Sequence, residues 1–385
     1  MLFSCKTQNL KEAIMKVERI VSKQTTLPIL GNILIKTEKG RLSVSATNLE
    51  IAIKVFLGAK IEKEGEITVP GRILGGFLSS IKDEKINGKL EKNILEINTE
   101  KHRVKINGIE ATDFPIIPQN PNNYLFKIKN IDLIRAISSV LISVAKNDTR
   151  QELNGIYIQF KENSILLAST DSFRLSEAII DLNKDCFGDD YLEFIKNTPS
   201  IIVPALTFME IQRVISDLDD EAEFMIDQNQ LFIKNTSVRI ISRLINGNYP
   251  EYQQVLPEKY DIEISLNKQE LLDALKISSL ILGGVGSEVQ IGFEDKKNKI
   301  LISSQSEGAG DNLSEISVKK IRGEDFEVVF NCRYLMDGLS ILGGDEGNII
   351  LKLNKTRSPV LIREMKGSGK ENEQLSYVVM PIIKS

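Results

Sequence analysis

Glu66-Ile-Thr-Val-Pro-Gly-Arg-Ile-Leu-Gly-Gly-Phe-Leu-Ser-Ser-Ile-Lys-Asp83 reads as a short β-branched strand, a proline turn and an amphipathic helix. The order returns from Ser200, where Ile201, Ile202 and Val203 lead to Pro204 and then Leu206, Phe208, Ile211, Val214 and Leu218. It returns again from Phe326, where Val328, Val329 and Phe330 lead to Asn331 and then Tyr334, Leu335, Leu339 and Leu342. Pro70, Pro204 and Asn331 stand about 130 residues apart, too far for a solenoid unit and right for a whole domain. Either residue type starts a helix, proline by fixing φ and asparagine by capping.

Around each segment the flanks repeat. A helix is predicted over Thr7–Lys23, with Leu10, Ile14, Val17 and Val21 as its apolar stripe. Others follow over Asn130–Lys146 (Ile134, Ile137, Leu141, Val144) and Asn267–Leu282 (Leu271, Leu275, Leu282). Short alternating runs between them read as antiparallel strands with one wet face, Leu90–Ile97 and His102–Asn107 among them. Proline-rich connectors at 111–123 and 246–259 separate the copies. The fold class is α+β: three repeated domains, 1–124, 125–257 and 258–385, each with two helices on antiparallel sheet. Lys366–Gln374 reads as a mobile polar loop before an apolar tail, Tyr377–Ile383.

Composition narrows the function. The 385 residues carry a net charge of −4 and 42% apolar content, an ordinary soluble surface with cores to bury. No apolar run reaches membrane-spanning length, and the first residues do not read as a signal peptide, so no membrane partner is expected. Cys5, Cys186 and Cys332 are scattered and read as small buried hydrophobes in a reducing cytoplasm. His102, the one histidine, is either a general base or a solvated strand residue, and no nucleophile or orienting carboxylate accompanies it in sequence. No phosphate-binding glycine loop and no metal-ligand spacing occurs, so neither catalysis nor a cofactor or metal is expected.

The leading helices are basic in a chain that is acidic. From Lys6 to Lys23 five cations face two anions, and Lys127, Lys129, Arg135, Lys146 and Arg150 face Asp132 and Asp148, each +3. Such faces are either solvated surfaces or collective contacts with a phosphate backbone. A protein gripping DNA by counterion release should be basic overall, so a weak basic lining fits enclosure better than grip. A linear adaptor that binds peptides without encircling DNA is the rival reading.

Leu27-Pro-Ile-Leu-Gly-Asn32, Ala46-Thr-Asn-Leu-Glu50, Leu153-Asn-Gly155, Thr170-Asp-Ser-Phe-Arg-Leu175, Asn246-Gly-Asn-Tyr-Pro-Glu-Tyr252, Val255-Leu-Pro257 and Tyr377-Val-Val-Met-Pro381 resemble the bacterial DNA polymerase III beta subunit, the sliding clamp, over the whole chain. The resemblance implies a non-catalytic, head-to-tail homodimeric ring around duplex DNA, with helices lining the hole and sheets outside. Its implied partners are a clamp loader, the polymerase III alpha subunit and other proteins with a clamp-binding motif. It implies a peptide pocket from Leu153, Thr170, Ser172, Phe173, Arg174, Leu175, Pro250, Gln254, Val255, Val378, Val379, Met380, Pro381 and Ile382. From the residues alone, the tail is either such a pocket wall or an edge strand filling its own core. Phe173 stands where the family carries His and Gln254 where it carries Arg, which removes a cation from the rim. DNA contacts are implied at Lys23, Gln24 (a family Arg), Arg72, Lys146, Asn147 and Arg150, and a dimer joint at Val104, Ile106, Ile281 and Leu282.

Overall fold

A computed structural model describes the chain except residues 22–26, 39, 147, 216–219, 284–286, 295–297, 319, 323–324, 344–346, 355–357 and 384–385, and the side chains of 320–322. Seven α-helices lie among the described residues: α1 (Thr7–Glu18), α2 (Gly71–Ser80), α3 (Asn130–Leu141), α4 (Tyr191–Asn197), α5 (Ala205–Val214), α6 (Lys268–Leu282) and α7 (Cys332–Ile341). The three strand-turn-helix segments are strands Glu66–Pro70, Ser200–Pro204 and Phe326–Asn331, running into α2, α5 and α7. At the third, Asn331 Oδ1 accepts from the amides of Arg333 and Tyr334 at 3.0 and 3.2 Å, the cap that the first two replace with proline. The short α4 is an addition to the two expected helices of the middle copy, and α1 and α3 end earlier than their apolar periodicity, at Glu18 and Leu141.

Among the described residues all strand pairing is antiparallel, in four sheets. The chain packs as two compact units, one of Met1–Ile131, Lys184–Phe194 and Leu206–Leu244, the other of Asp132–Asn183, Ile195–Ala205 and Ile245–Ser385. Both units join strands of successive copies. In the first unit, strand Val238–Arg243 pairs with Ile51–Leu57 (Val238 opposite Val55), so the eight-stranded sheet draws four strands from each of the first two copies. In the second, strand Arg174–Asp181 pairs with Glu371–Val379, continuing a nine-stranded sheet from the middle copy into the last. Each unit also holds a smaller sheet: five strands ending on Arg103–Asn107 in the first, four ending on Gly310–Ser317 in the second.

The apolar stripes become the cores. Leu10, Ala13, Ile14 and Val17 of α1 are buried, as are Leu271, Ala274, Leu275 and Leu282 of α6. The second unit's main core gathers α6 and α7 with Ile262, Ile264, Phe293, Phe330 and Tyr377. Gly338 of α7 lies against Tyr377, where an added Cβ would overlap the ring. Tyr377 is fully buried and donates its hydroxyl to the Tyr334 carbonyl at 2.7 Å, so the tail is held by both packing and a hydrogen bond.

Two expectations are corrected. Leu90–Ile97 is not one strand but a hairpin, strands Lys85–Glu91 and Ile94–Asn98 about a turn with Lys92 at φ +51°. Lys366–Gln374 is a loop only as far as Lys370, because strand Glu371–Val379 begins there. Its polar side chains pair across the sheet: Glu371 with Lys352 and Arg363, Asn372 with Glu364 at 3.0 Å, Gln374 with Asp181 at 2.7 Å.

Candidate functional site

The turn Thr170–Arg174 is built by its own side chains. Thr170 Oγ1 donates to the Arg174 carbonyl at 2.7 Å and accepts from the Ser172 amide at 3.1 Å. Asp171 Oδ1 accepts from the amides of Phe173 and Arg174, both at 3.0 Å, which leaves Ser172 at φ +74°. The first copy contains the same device. Thr47 Oγ1 donates to Ile51 O at 3.0 Å, Asn48 Oδ1 accepts from Glu50 and Ile51, and Leu49 sits at φ +76°. The Thr-Asn and Thr-Asp motifs are therefore one hairpin used twice, and only in the second copy does it carry Phe173 and Arg174.

This hairpin meets the tail. Leu175 lies opposite Val378 and Arg174 opposite Val379, and the Met380 amide donates to the Phe173 carbonyl at 2.8 Å. Ile382 then bonds through its amide to Val329 O at 2.7 Å. Leu175 and Val378 pack in one cluster with Leu166, Ala168, Leu361 and Tyr252, the last from the 3₁₀ turn Tyr252–Val255. Pro250 leads into that turn, its carbonyl accepting from the Tyr252 amide at 2.7 Å. Leu153 and Val379 are fully buried and Thr170 is buried, whereas Phe173 is 61% and Val255 58% exposed. Met380, Pro381 and Ile382 are half-buried, and Gln254, exposed, bonds to Glu251. The result is an ordered strand floor bearing bulky apolar side chains open to solvent, the composition that receives an aliphatic or aromatic anchor.

Charges brace the floor. Arg174 donates to Asp171 Oδ2 at 3.0 Å and Asp337 Oδ2 at 2.6 Å, and its guanidinium lies 4.4 Å from the Tyr334 ring centre. Beneath, Tyr252 donates its hydroxyl to Glu177 Oε2 at 3.0 Å. Burial pushes the Glu177 carboxyl above its usual range, and that hydrogen bond only partly offsets the shift.

Arg150 is tied to the same turn, donating to Ser172 Oγ at 2.9 Å and to Asp148 Oδ2 at 3.1 Å. Lys146 and, on α2, Arg72 are exposed, whereas Lys23, Gln24 and Asn147 lie outside the described residues. Among the residues named for the joint, Ile106 and Leu282 are buried within their own units, and Val104 and Ile281 are half-buried. Sequence reasoning missed Ile277 and Leu280 on α6 and Leu313 on the edge strand, exposed at 48%, 78% and 62%. Their signal was available, since apolar residues off the α6 stripe have no core to enter. His102 is half-exposed, with Nε2 3.8 Å from Asp83 Oδ2, and no metal-binding cluster occurs among the described residues.

The family descriptions of the DNA polymerase III beta subunit match in chain order: N-terminal domain over residues 1–118, central domain over 127–251, C-terminal domain over 253–383. A beta sliding clamp of Synechocystis is 25% identical, with 98% of each chain covered, and that of Pseudomonas aeruginosa 26%, covering 99% and 100%. Among solved structures, the Bacillus subtilis sliding clamp matches over the full length of both chains at TM-score 0.91 and 23% identity. A Pseudomonas aeruginosa clamp solved bound to griselimycin matches at 0.87 and 24%, again over both full lengths. This chain belongs to the DNA polymerase III beta-subunit family.

Proposed function

We propose that the chain works as a head-to-tail homodimeric ring of six clamp domains, bounded at 1–124, 125–257 and 258–385 in each protomer. The ring encircles duplex DNA without sequence preference, keeps the polymerase III alpha subunit processive and performs no catalysis. A clamp loader places it on DNA in the cytoplasm. Lys23, Gln24, Arg72, Lys146, Asn147 and Arg150 are the proposed DNA contacts.

The observation that carries this reading is the pair of open sheet edges. Within each unit, successive copies are sewn together strand to strand, yet Arg103–Asn107 and Gly310–Ser317 end their sheets. An open edge bordered by exposed apolar side chains invites another chain. Arg103 and Lys105 lie on one edge strand, Asp311 and Glu315 on the other, and Leu313 is exposed on the second. Of the four residues named for the joint, Val104 and Ile281 are the proposed contacts, with Leu280 added for its exposure, while Ile106 and Leu282 support them from within their own cores. The net charge of −4 supports retention by enclosure over retention by adhesion.

The pocket is proposed to hold the clamp-binding segment of partner proteins, its anchor seated among Leu153, Thr170, Leu175, Pro250, Val255 and Val378–Ile382. Ser172, Phe173, Arg174 and Gln254 form its rim. The clamp solved with griselimycin gives precedent for ligand binding by a relative.

Retention on nicked circular and linear duplexes after loading tests the ring. The expected result is persistence on the circle at a salt concentration that strips the linear duplex. Equal loss from both overturns enclosure, and a strict monomer at micromolar concentration overturns the dimer.

A further inference from the structure

The junction of the first two copies repeats the backbone of the junction between the last two. In the first unit the Arg243 amide donates to the Glu50 carbonyl at 2.9 Å, as the Met380 amide donates to that of Phe173 in the second. Ahead of each hairpin a 3₁₀ turn closes in the same way, the Leu30 amide on the Leu27 carbonyl and the Leu153 amide on the Arg150 carbonyl, both at 3.0 Å. Ala52 lies opposite Ile241 as Leu175 lies opposite Val378. Phe114-Pro115-Ile116-Ile117 runs as Tyr249-Pro250-Glu251-Tyr252, with Ile117 packed on the first pair's cluster and Tyr252 on the second's.

At three of these matched positions the chemistry is inverted. In the second unit Arg150 donates to Ser172 Oγ at 2.9 Å and Glu251 accepts from Gln254, so that edge is polar. In the first unit the same positions hold Leu27, Leu49 and Ile116, exposed at 49%, 50% and 94%. Leu49 keeps its place at φ +76°, a conformation that bulky side chains disfavour. Glu50 and Arg243, both exposed, stand where the second unit has Phe173 and Met380. The first unit therefore has an apolar patch bordered by one carboxylate and one guanidinium.

We propose that this face of the first unit is a second docking site, for a short segment of a partner protein that presents an apolar pair flanked by a cation and an anion. The apolar pair covers Leu27, Leu49 and Ile116, while the cation meets Glu50 and the anion Arg243. Three such side chains expose only a few hundred Å², well below the roughly 800 Å² per partner of a stable protein–protein interface, so the patch suits a peptide rather than a second copy of the chain. The kind of occupant rests on the peptide-pocket reading of the second unit, whereas the patch does not depend on it.

The test is a methyl chemical-shift titration of the full chain, labelled at Ile, Leu and Val, with the capped tetrapeptide Lys-Leu-Phe-Glu and with Lys-Ser-Ser-Glu as control. Saturable shifts at Leu27, Leu49 and Ile116 are expected with the first peptide only. Leu49→Ser and Ile116→Glu, both at exposed positions, should each weaken this binding about tenfold, read at Leu27. Shifts that are absent there, that the control reproduces, or that keep their affinity in both variants overturn the site. Shifts at these methyl groups on raising protein concentration without peptide assign the face to a second copy and overturn the peptide as occupant. Leu175 and Val378 report the second unit's pocket separately. Shifts confined to them overturn this site alone, and shifts confined to Leu27, Leu49 and Ile116 overturn that pocket alone.

Discussion

Arg174 and Asp337 are 163 positions apart in sequence and joined by a 2.6 Å hydrogen bond between Nη1 and Oδ2. Through Nε the same guanidinium holds Asp171, so one side chain fixes the hairpin under Phe173 to the helix α7. The geometry needs a planar fork, which Lys lacks. Arg174→Lys should therefore weaken partner-peptide binding while leaving the fold intact. Arg174→Ala should cost about 1–3 kcal/mol of stability, since the group is only about one-tenth exposed and leaves two carboxylates behind. A denaturation double-mutant cycle with Asp337→Asn measures the coupling, expected at about 0.5 kcal/mol or more; a coupling of zero would deny the bond any role.

Glu177 gives the pocket floor a pH dependence. Burial raises its folded carboxyl above the ordinary value of 4.5, so from there up to the raised value the folded chain binds more protons than the unfolded one. Stability from this group is therefore greatest at low pH and declines as pH rises through that window, leaving ionised Glu177 a burden at neutrality. Glu177→Gln keeps an acceptor for the Tyr252 hydroxyl and removes the titration. Denaturant midpoints across the window should show the variant gaining on the parent as pH rises, and a difference flat with pH would contradict the assignment.

How much of this was legible depends on the distance over which each feature is decided. Leu10, Ala13, Ile14 and Val17 are spaced at the helical period and are buried, because a helix face is a local property. The hairpin at Lys92 escaped notice because lysine at φ +51° carries no turn signature. Strand Glu371–Val379 was hidden because its polar residues look like loop until Lys352, Glu364 and Asp181 supply partners across the sheet. The pairing of Leu175 with Val378 has no trace in local spacing, and those residues were named from family motifs alone. Arg213 has no sequence signal at all, because its partners are the backbone carbonyls of Met15 and Lys16, which no side-chain pattern announces.

The end of α1 is closed from outside the helix. An α-helix leaves its last four carbonyls without intrahelical donors, here those of Met15, Lys16, Val17 and Glu18. Ile20 and Val21 donate their amides to Val17 and Glu18, both at 3.1 Å. Arg213 of α5 supplies the other two, its Nη1 reaching Met15 O at 2.8 Å and its Nη2 reaching Lys16 O at 2.6 Å. Glu210, one turn earlier on α5, holds the guanidinium in place through Nε at 2.8 Å. The cation also lies at the negative end of the α1 dipole. Arg213→Ala should cost about 1–2 kcal/mol, the sum of two charge-assisted bonds less what water restores at a partly exposed site. Glu210→Gln should cost less, because the guanidinium keeps its two carbonyls. Amide exchange at Arg19, Ile20 and Val21 is the discriminating measurement. Faster exchange there in Arg213→Ala, with α2 unchanged, is expected from a lost cap, whereas uniform acceleration across the unit would mean that the residue acts through general packing instead.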